Sequence, residues 1–134
     1  MDRFIEKFLN YLKAERDASP HTLRNYTKDL EVLRQALGET PWEKVDLLAL
    51  RRFVAQQREG GLSKVTIARR VATIRSFFRF LHREGYVPAN PALGLVRPKQ
   101  DRHLPSFLSV EETTRLMEAP AGDSFAASRD RAIL

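Results

Sequence analysis

The 134-residue chain has no cysteine, which excludes a disulfide framework, a thiolate metal site and a cysteine nucleophile. Its histidines, His21, His82 and His103, lie far apart without ligand spacing, so no zinc site is expected. There is no glycine-rich phosphate loop, and no metal or organic cofactor is expected. No apolar run approaches the ~18 residues needed to cross a bilayer, and Met1-Asp2-Arg3-Phe4 does not open a signal-peptide h-region. The expectation is a soluble, cytoplasmic protein with no membrane partner. Strand-period alternation is missing from the first 95 residues, so the fold class is expected to be all-α. Finally, no acidic residue falls between Leu62 and Arg83, although six basic ones do.

That basic stretch, from Gly60 to Gly85, organises the chain. Ser63 offers an N-cap oxygen after the flexible Gly60-Gly61 pair, and Gly85 sits where a left-handed residue would stop the helix about six turns later. Ile67, Val71, Ile74, Phe78 and Leu81 recur at helical spacing and form one narrow apolar stripe. The cations are Lys64, Arg69, Arg70, Arg75, Arg79 and Arg83, and Thr66, Arg69, Thr73 and Ser76 are expected to point away from the stripe. An ordinary solvated face mixes charge signs to gain i, i+4 pairs, whereas a face of one sign repels itself unless an anion compensates it. Short hydroxyls between the cations suit phosphates and base edges. A DNA-reading helix is therefore expected in preference to a plain solvated face. The charge distribution agrees: residues 1 to 103 hold 20 Lys/Arg against 12 Asp/Glu, and residues 104 to 134 hold three against five.

Other helices follow from similar signals. The first should run from about Asp2 to Arg16, with Phe4, Ile5, Phe8, Leu9 and Leu12 inward, and Asp17-Ala18 form a short connection. Ser19-Pro20-His21-Thr22, a cap followed by proline at the first helical position, opens the second. Leu23, Tyr26, Leu30, Leu33 and Leu37 keep its period until Gly38. Its first turns present His21, Arg24, Asn25 and Lys28 at an end whose free N-H groups and dipole attract phosphate. Glu39 to Val45 is a loop whose Trp42 caps the core, and Asp46 caps a third helix with Leu47, Leu50, Phe53 and Val54 inward until Gly60. After the basic helix, Asn90-Pro91-Ala92-Leu93 allows only a turn or two. Arg97-Pro98-Lys99-Gln100-Asp101-Arg102-His103-Leu104-Pro105 reads as an extended linker. Ser109-Val110-Glu111-Glu112 is a capping box, and Arg129 to Leu134 looks like a helix entering its apolar face.

Several marks stand together in order: Phe8 with Tyr11-Leu12, Ser19 through Tyr26 with Asp29-Leu30, Gly61-Leu62-Ser63 through Arg75-Ser76-Phe77-Phe78, Asn90-Pro91, Leu104-Pro105, Leu108 through Glu112, and Arg129-Asp130-Arg131-Ala132-Ile133-Leu134. In these the chain resembles the tyrosine recombinase (integrase) family, and within it the bacterial Xer-like branch. The resemblance implies a four- to five-helix SAM-like core-binding bundle over residues 1–95, a linker over 96–106, and an incomplete helical start of a catalytic domain over 107–134. It implies double-stranded DNA as partner, with helices two and four in successive parts of the major groove, and further recombinase subunits in a tetrameric synapse. Position by position, the contacts would be Thr22, Arg24, Asn25 and Lys28, then Ser63, Lys64, Thr66, Arg69, Arg70 and Thr73. Arg70 lies nearer the apolar stripe and would reach a phosphate from its edge. The family reaction, attack of a tyrosine hydroxyl on a phosphodiester assisted by arginines, lysine and histidine, conserves bond energy in a phosphotyrosyl link and requires no metal or nucleotide. No catalytic residue is assigned, because Tyr11, Tyr26 and Tyr86 all fall outside the catalytic region. A first helix that opens directly after Met1, rather than behind an arm-binding domain, is what the Xer-like branch would be expected to show.

Two other classes compete. A helix-turn-helix regulator would also be basic and helical, but its two helices would be joined by a turn of three or four residues, and helices two and three are separated by Gly38 to Val45. A helical protein-interaction or membrane-surface module would leave an apolar stripe exposed, whereas one core is able to absorb every stripe here.

Overall fold

The computed structural model describes residues 2–99 and 106–133, and every regular element among the described residues is helical. The chain forms two compact units, Met1–Gln100 and Asp101–Leu134. Residues 100–105 of the expected linker, Leu104-Pro105 among them, lie outside the described residues, as does Leu134.

The first unit contains α1 (Arg3–Glu15), α2 (Pro20–Leu37), one turn of 3-10 helix (Trp42–Lys44), α3 (Leu47–Glu59) and α4 (Lys64–Arg83). Their starts are set by side chains that satisfy free backbone N-H groups. Asp2 Oδ1 accepts from the amide of Phe4 at 2.8 Å, Ser19 Oγ from Thr22 at 3.2 Å, Asp46 Oδ1 from Ala49 at 2.7 Å and Ser63 Oγ from Thr66 at 3.2 Å. Gly38 and Gly85, at φ of 59° and 74°, take the positive-φ positions that end α2 and α4, where a side chain would be strained.

α4 is the central element, packed by α1, α2 and α3. Ile5 and Phe8 of α1, Leu30 and Leu33 of α2, and Leu50 and Phe53 of α3 close on Val71, Ile74, Phe77, Phe78 and Leu81, all essentially inaccessible. The narrow stripe expected for α4 is therefore corrected to a broad one, because Ala68, Thr73, Phe77 and Phe80 are buried as well. A helix with partners on three sides cannot keep all its off-stripe positions in water. Phe80 illustrates this, its ring lying 5.4 Å from Phe8 and 5.1 Å from Tyr11. Trp42 caps the core as expected, edge-on to Phe77 at 4.9 Å, with its indole N-H donating to Asp2 Oδ2 at 3.0 Å.

The second unit contains α5 (Val110–Glu118), opened by the expected capping box of Ser109 and Glu112, and α6 (Phe125–Ile133). α6 begins ahead of Arg129, where Ser124 Oγ accepts from the Ala127 amide at 3.2 Å. Only Ala127 is buried among the described residues here, and Phe107, Val110, Phe125 and Ile133 are exposed.

A candidate nucleic-acid interface

Two helices position the residues singled out in the sequence. Asn25 and Asp29 of α2 face Arg69 and Thr73 of α4, while Tyr26 shares a cleft with Ser76 and Arg79, so the two helices meet along a common seam. Arg24 and Lys28 on the first turns of α2, and Ser63 and Lys64 at the start of α4, are exposed. Thr22 and Thr66 occupy equivalent places, the third residue of each helix, and their hydroxyls lie 3.0 and 2.9 Å from the capping oxygens of Ser19 and Ser63. The geometry accounts for both threonines as helix-start residues.

The seam is organised by an acidic residue that sequence reasoning noted only as part of a motif. Asp29 is 1% exposed, and three α4 side chains converge on its carboxylate. Arg69 Nη1 donates to Oδ2 at 2.5 Å, Arg70 Nε to Oδ1 at 3.2 Å, and Thr73 Oγ1 to Oδ2 at 3.0 Å. Arg69 also donates to the carbonyl of Asn25 at 3.4 Å, and Arg70 to the side-chain carbonyl of Gln57 on α3. A buried carboxylate held by two cations and a hydroxyl is satisfied, whereas one left alone would cost several kcal/mol. The available signal was positional: Asp29 adjoins Leu30 on the apolar side of α2, opposite a helix that carries cations and no acid.

Thr73 was expected on the outer face of α4 among the DNA contacts. It is fully buried, and this expectation is corrected: its hydroxyl is spent on Asp29 and on the Arg69 carbonyl at 3.2 Å, out of reach of any groove. Arg70, with 16% of its side chain exposed, is anchored between Asp29 and Gln57. Arg69 differs, because 38% of its side chain remains accessible and donors are left over after Asp29 is served. At the far end of α4, Arg83 lies over the Tyr11 ring at 4.3 Å, and its hydrogen bonds to Glu84 and Tyr11 raise its pKa above the usual guanidinium value. No group of three or more potential metal ligands occurs among the described residues, and no described helix is long and apolar enough to cross a membrane.

Residues 5–85 match the family described as phage integrase, N-terminal SAM-like domain. The tyrosine recombinase XerC of Thermodesulfovibrio yellowstonii is 43% identical over 131 residues, an alignment that takes in 98% of this chain and 43% of that protein. XerC of Salmonella typhi is 39% identical over 97% of this chain and 44% of its own length. The chain thus spans less than half the length of these curated relatives. Among solved structures, a lambda integrase dimer bound to a COC' core site superposes with a TM-score of 0.66 at 20% identity, covering 87% of this chain and 32% of that one. A lambda integrase tetramer bound to a Holliday junction gives 0.67 at 20% identity, covering 87% and 34%. At that identity the likeness establishes a shared fold.

Proposed function

The chain belongs to the phage integrase N-terminal SAM-like domain family, as the N-terminal domain of a Xer-like tyrosine recombinase, and we propose that it holds a half-site of duplex DNA for strand exchange. The observation that carries this reading is the composition of α4, which holds six cations and no acid between Leu62 and Arg83, next to the first turns of α2. Arg24, Lys28 and Lys64 are exposed, Arg69 is partly so, and the carboxylate at the seam, Asp29, is buried and already matched by Arg69 and Arg70. Thr22, Arg24, Asn25 and Lys28 then address DNA from α2, and Ser63, Lys64, Thr66 and Arg69 from α4, with Arg70 bracing the seam. Residues 1–95 are the DNA-holding domain, 96–106 the connection, and 107–134 the opening of the catalytic domain. The exposed apolar side chains of α5 and α6 support that division, since a larger domain would cover them. Other recombinase subunits on the same DNA are the further partners, as in the junction-bound lambda integrase tetramer.

A helix-turn-helix of another kind is not favoured. Gly60–Ser63 does form a four-residue turn between α3 and α4, so connection length alone does not decide, but the family match extends from α1 past α4 as one unit. The test is binding of a mixed-sequence duplex, followed by fluorescence anisotropy as salt is raised. If ~6 phosphates are neutralised, log K should fall against log salt with a slope of about -5. A slope near zero, or equal binding to anionic lipid vesicles, contradicts the reading.

A further inference from the structure

Beyond the seam, the second half of α4 carries a feature outside the set of expected contacts. Ala72, Arg75, Ser76 and Arg79 recur at i, i+3, i+4 and i+7 and so share one side of the helix. With Tyr26 of α2 and Arg97 of the segment that follows the bundle, they line an open trough of about 250 Å³. Among the described residues no carboxylate lines it. Among the described residues no ion pair or hydrogen bond engages the guanidinium of Arg75, Arg79 or Arg97. Arg83, one turn beyond Arg79, is by contrast paired with Glu84 at 2.9 Å.

Like charges at i, i+4 destabilise a helix, and a third cation from another segment of the same unit adds to the repulsion. A folded chain tolerates such a cluster where an anion normally occupies it. The walls define which anion fits. Guanidinium groups fork onto the paired oxygens of a phosphate, Ser76 and Tyr26 bring hydroxyls, and Ala72 is small enough to let a backbone approach. Tyr26 is already stacked on Phe8, with centroids 6.0 Å apart and planes 11° from parallel, so the trough is poorly suited to gripping a nucleobase.

The geometry points to this trough as the seat of one phosphodiester of the duplex backbone, held by Arg75, Arg79 and Arg97. The inference rests on the DNA-holding reading and extends its footprint from the start of α4 to its second half. It makes Arg97, in a basic run that the sequence alone reads as an extended linker, part of the DNA surface.

The experiment compares the full chain with Arg75→Ala, Arg79→Ala and Arg97→Ala, singly and combined, on the same mixed-sequence duplex across a salt series. The combined variant should reduce the slope by about 0.9 for the one phosphate lost, roughly an eightfold loss at 0.1 M salt relative to 1 M. Thermal stability should be unchanged or higher, because repulsion is relieved. Lys28→Ala serves as the control at the other surface. An unchanged slope in the combined variant, with a reduced one in Lys28→Ala, overturns the trough and leaves the DNA-holding reading standing. If the parent chain binds no duplex, both fall. A third arm adds inorganic phosphate at constant ionic strength. Millimolar phosphate that raises the thermal stability of the parent but not of the combined variant, while displacing duplex from neither, would mark a free-anion site and overturn the assignment to the backbone.

Discussion

Asp29→Ala tests whether the seam between α2 and α4 is held electrostatically. The substitution removes the one acceptor shared by Arg69, Arg70 and Thr73. The three losses are unequal. Arg69 is more than a third exposed, so water screens that pair and it contributes little. Thr73 keeps the Arg69 carbonyl as an alternative acceptor. Arg70 is nearly enclosed and loses a charged hydrogen bond worth about 1.5–3 kcal/mol, to which loosened helix packing adds. The sum, about 2–4 kcal/mol, falls at the low end of what breaking a buried ion pair costs. For a bundle of this size it corresponds to a drop in Tm of roughly 10–25 °C. Asp29→Asn keeps an acceptor and loses the charge, and should cost about 1–2 kcal/mol. Urea unfolding followed by far-ultraviolet circular dichroism measures both, and a double-mutant cycle with Arg70→Ala should return a coupling above ~1 kcal/mol. Stability of Asp29→Ala within ~0.5 kcal/mol of the parent would refute the reasoning.

Other expectations separate reading from positioning. Arg69→Ala should weaken binding to the preferred site by about 1–3 kcal/mol and relax base preference there, whereas Lys28→Ala should weaken all sequences about equally. Selection of bound duplexes from a random pool checks both, and an unchanged consensus for Arg69→Ala would make that side chain a brace rather than a reader. Ser63→Ala removes the α4 cap and should lower unfolding free energy by ~1 kcal/mol, read by the same urea titration.

Helix starts and stops were legible because caps are local. Ser19-Pro20, Asp46, Ser63, Gly38 and Gly85 act within one turn of where they stand, and each is found in its expected role. Burial on α4 was less legible, because a helical wheel describes one helix and not the number of its neighbours. Phe77 and Phe80 both pack on Phe8 of α1, and Phe77 also meets Trp42, partners that no single-helix period encodes. Thr73 was misplaced for the same reason, since its direction on α4 is outward only until α2 and Asp29 cover it. Arg97 is the extreme case: it reaches the outer face of α4 through the path of the chain after Val87, Ala92 and Leu95 have packed into the core. The start of α6 was missed because Ser124, its cap, lies in a stretch that reads as loop.

The central claim is that α2 and α4 together form the surface that holds DNA. Titrating the isotope-labelled chain with a short mixed-sequence duplex, and following backbone amide shifts by NMR, addresses it most directly. The largest changes should fall on Thr22 to Lys28 of α2 and on Ser63, Thr66 and Arg69 of α4, with the outer face of α3 unaffected. Changes confined to α3 or to residues 106–133, or none at saturating duplex, would contradict the account.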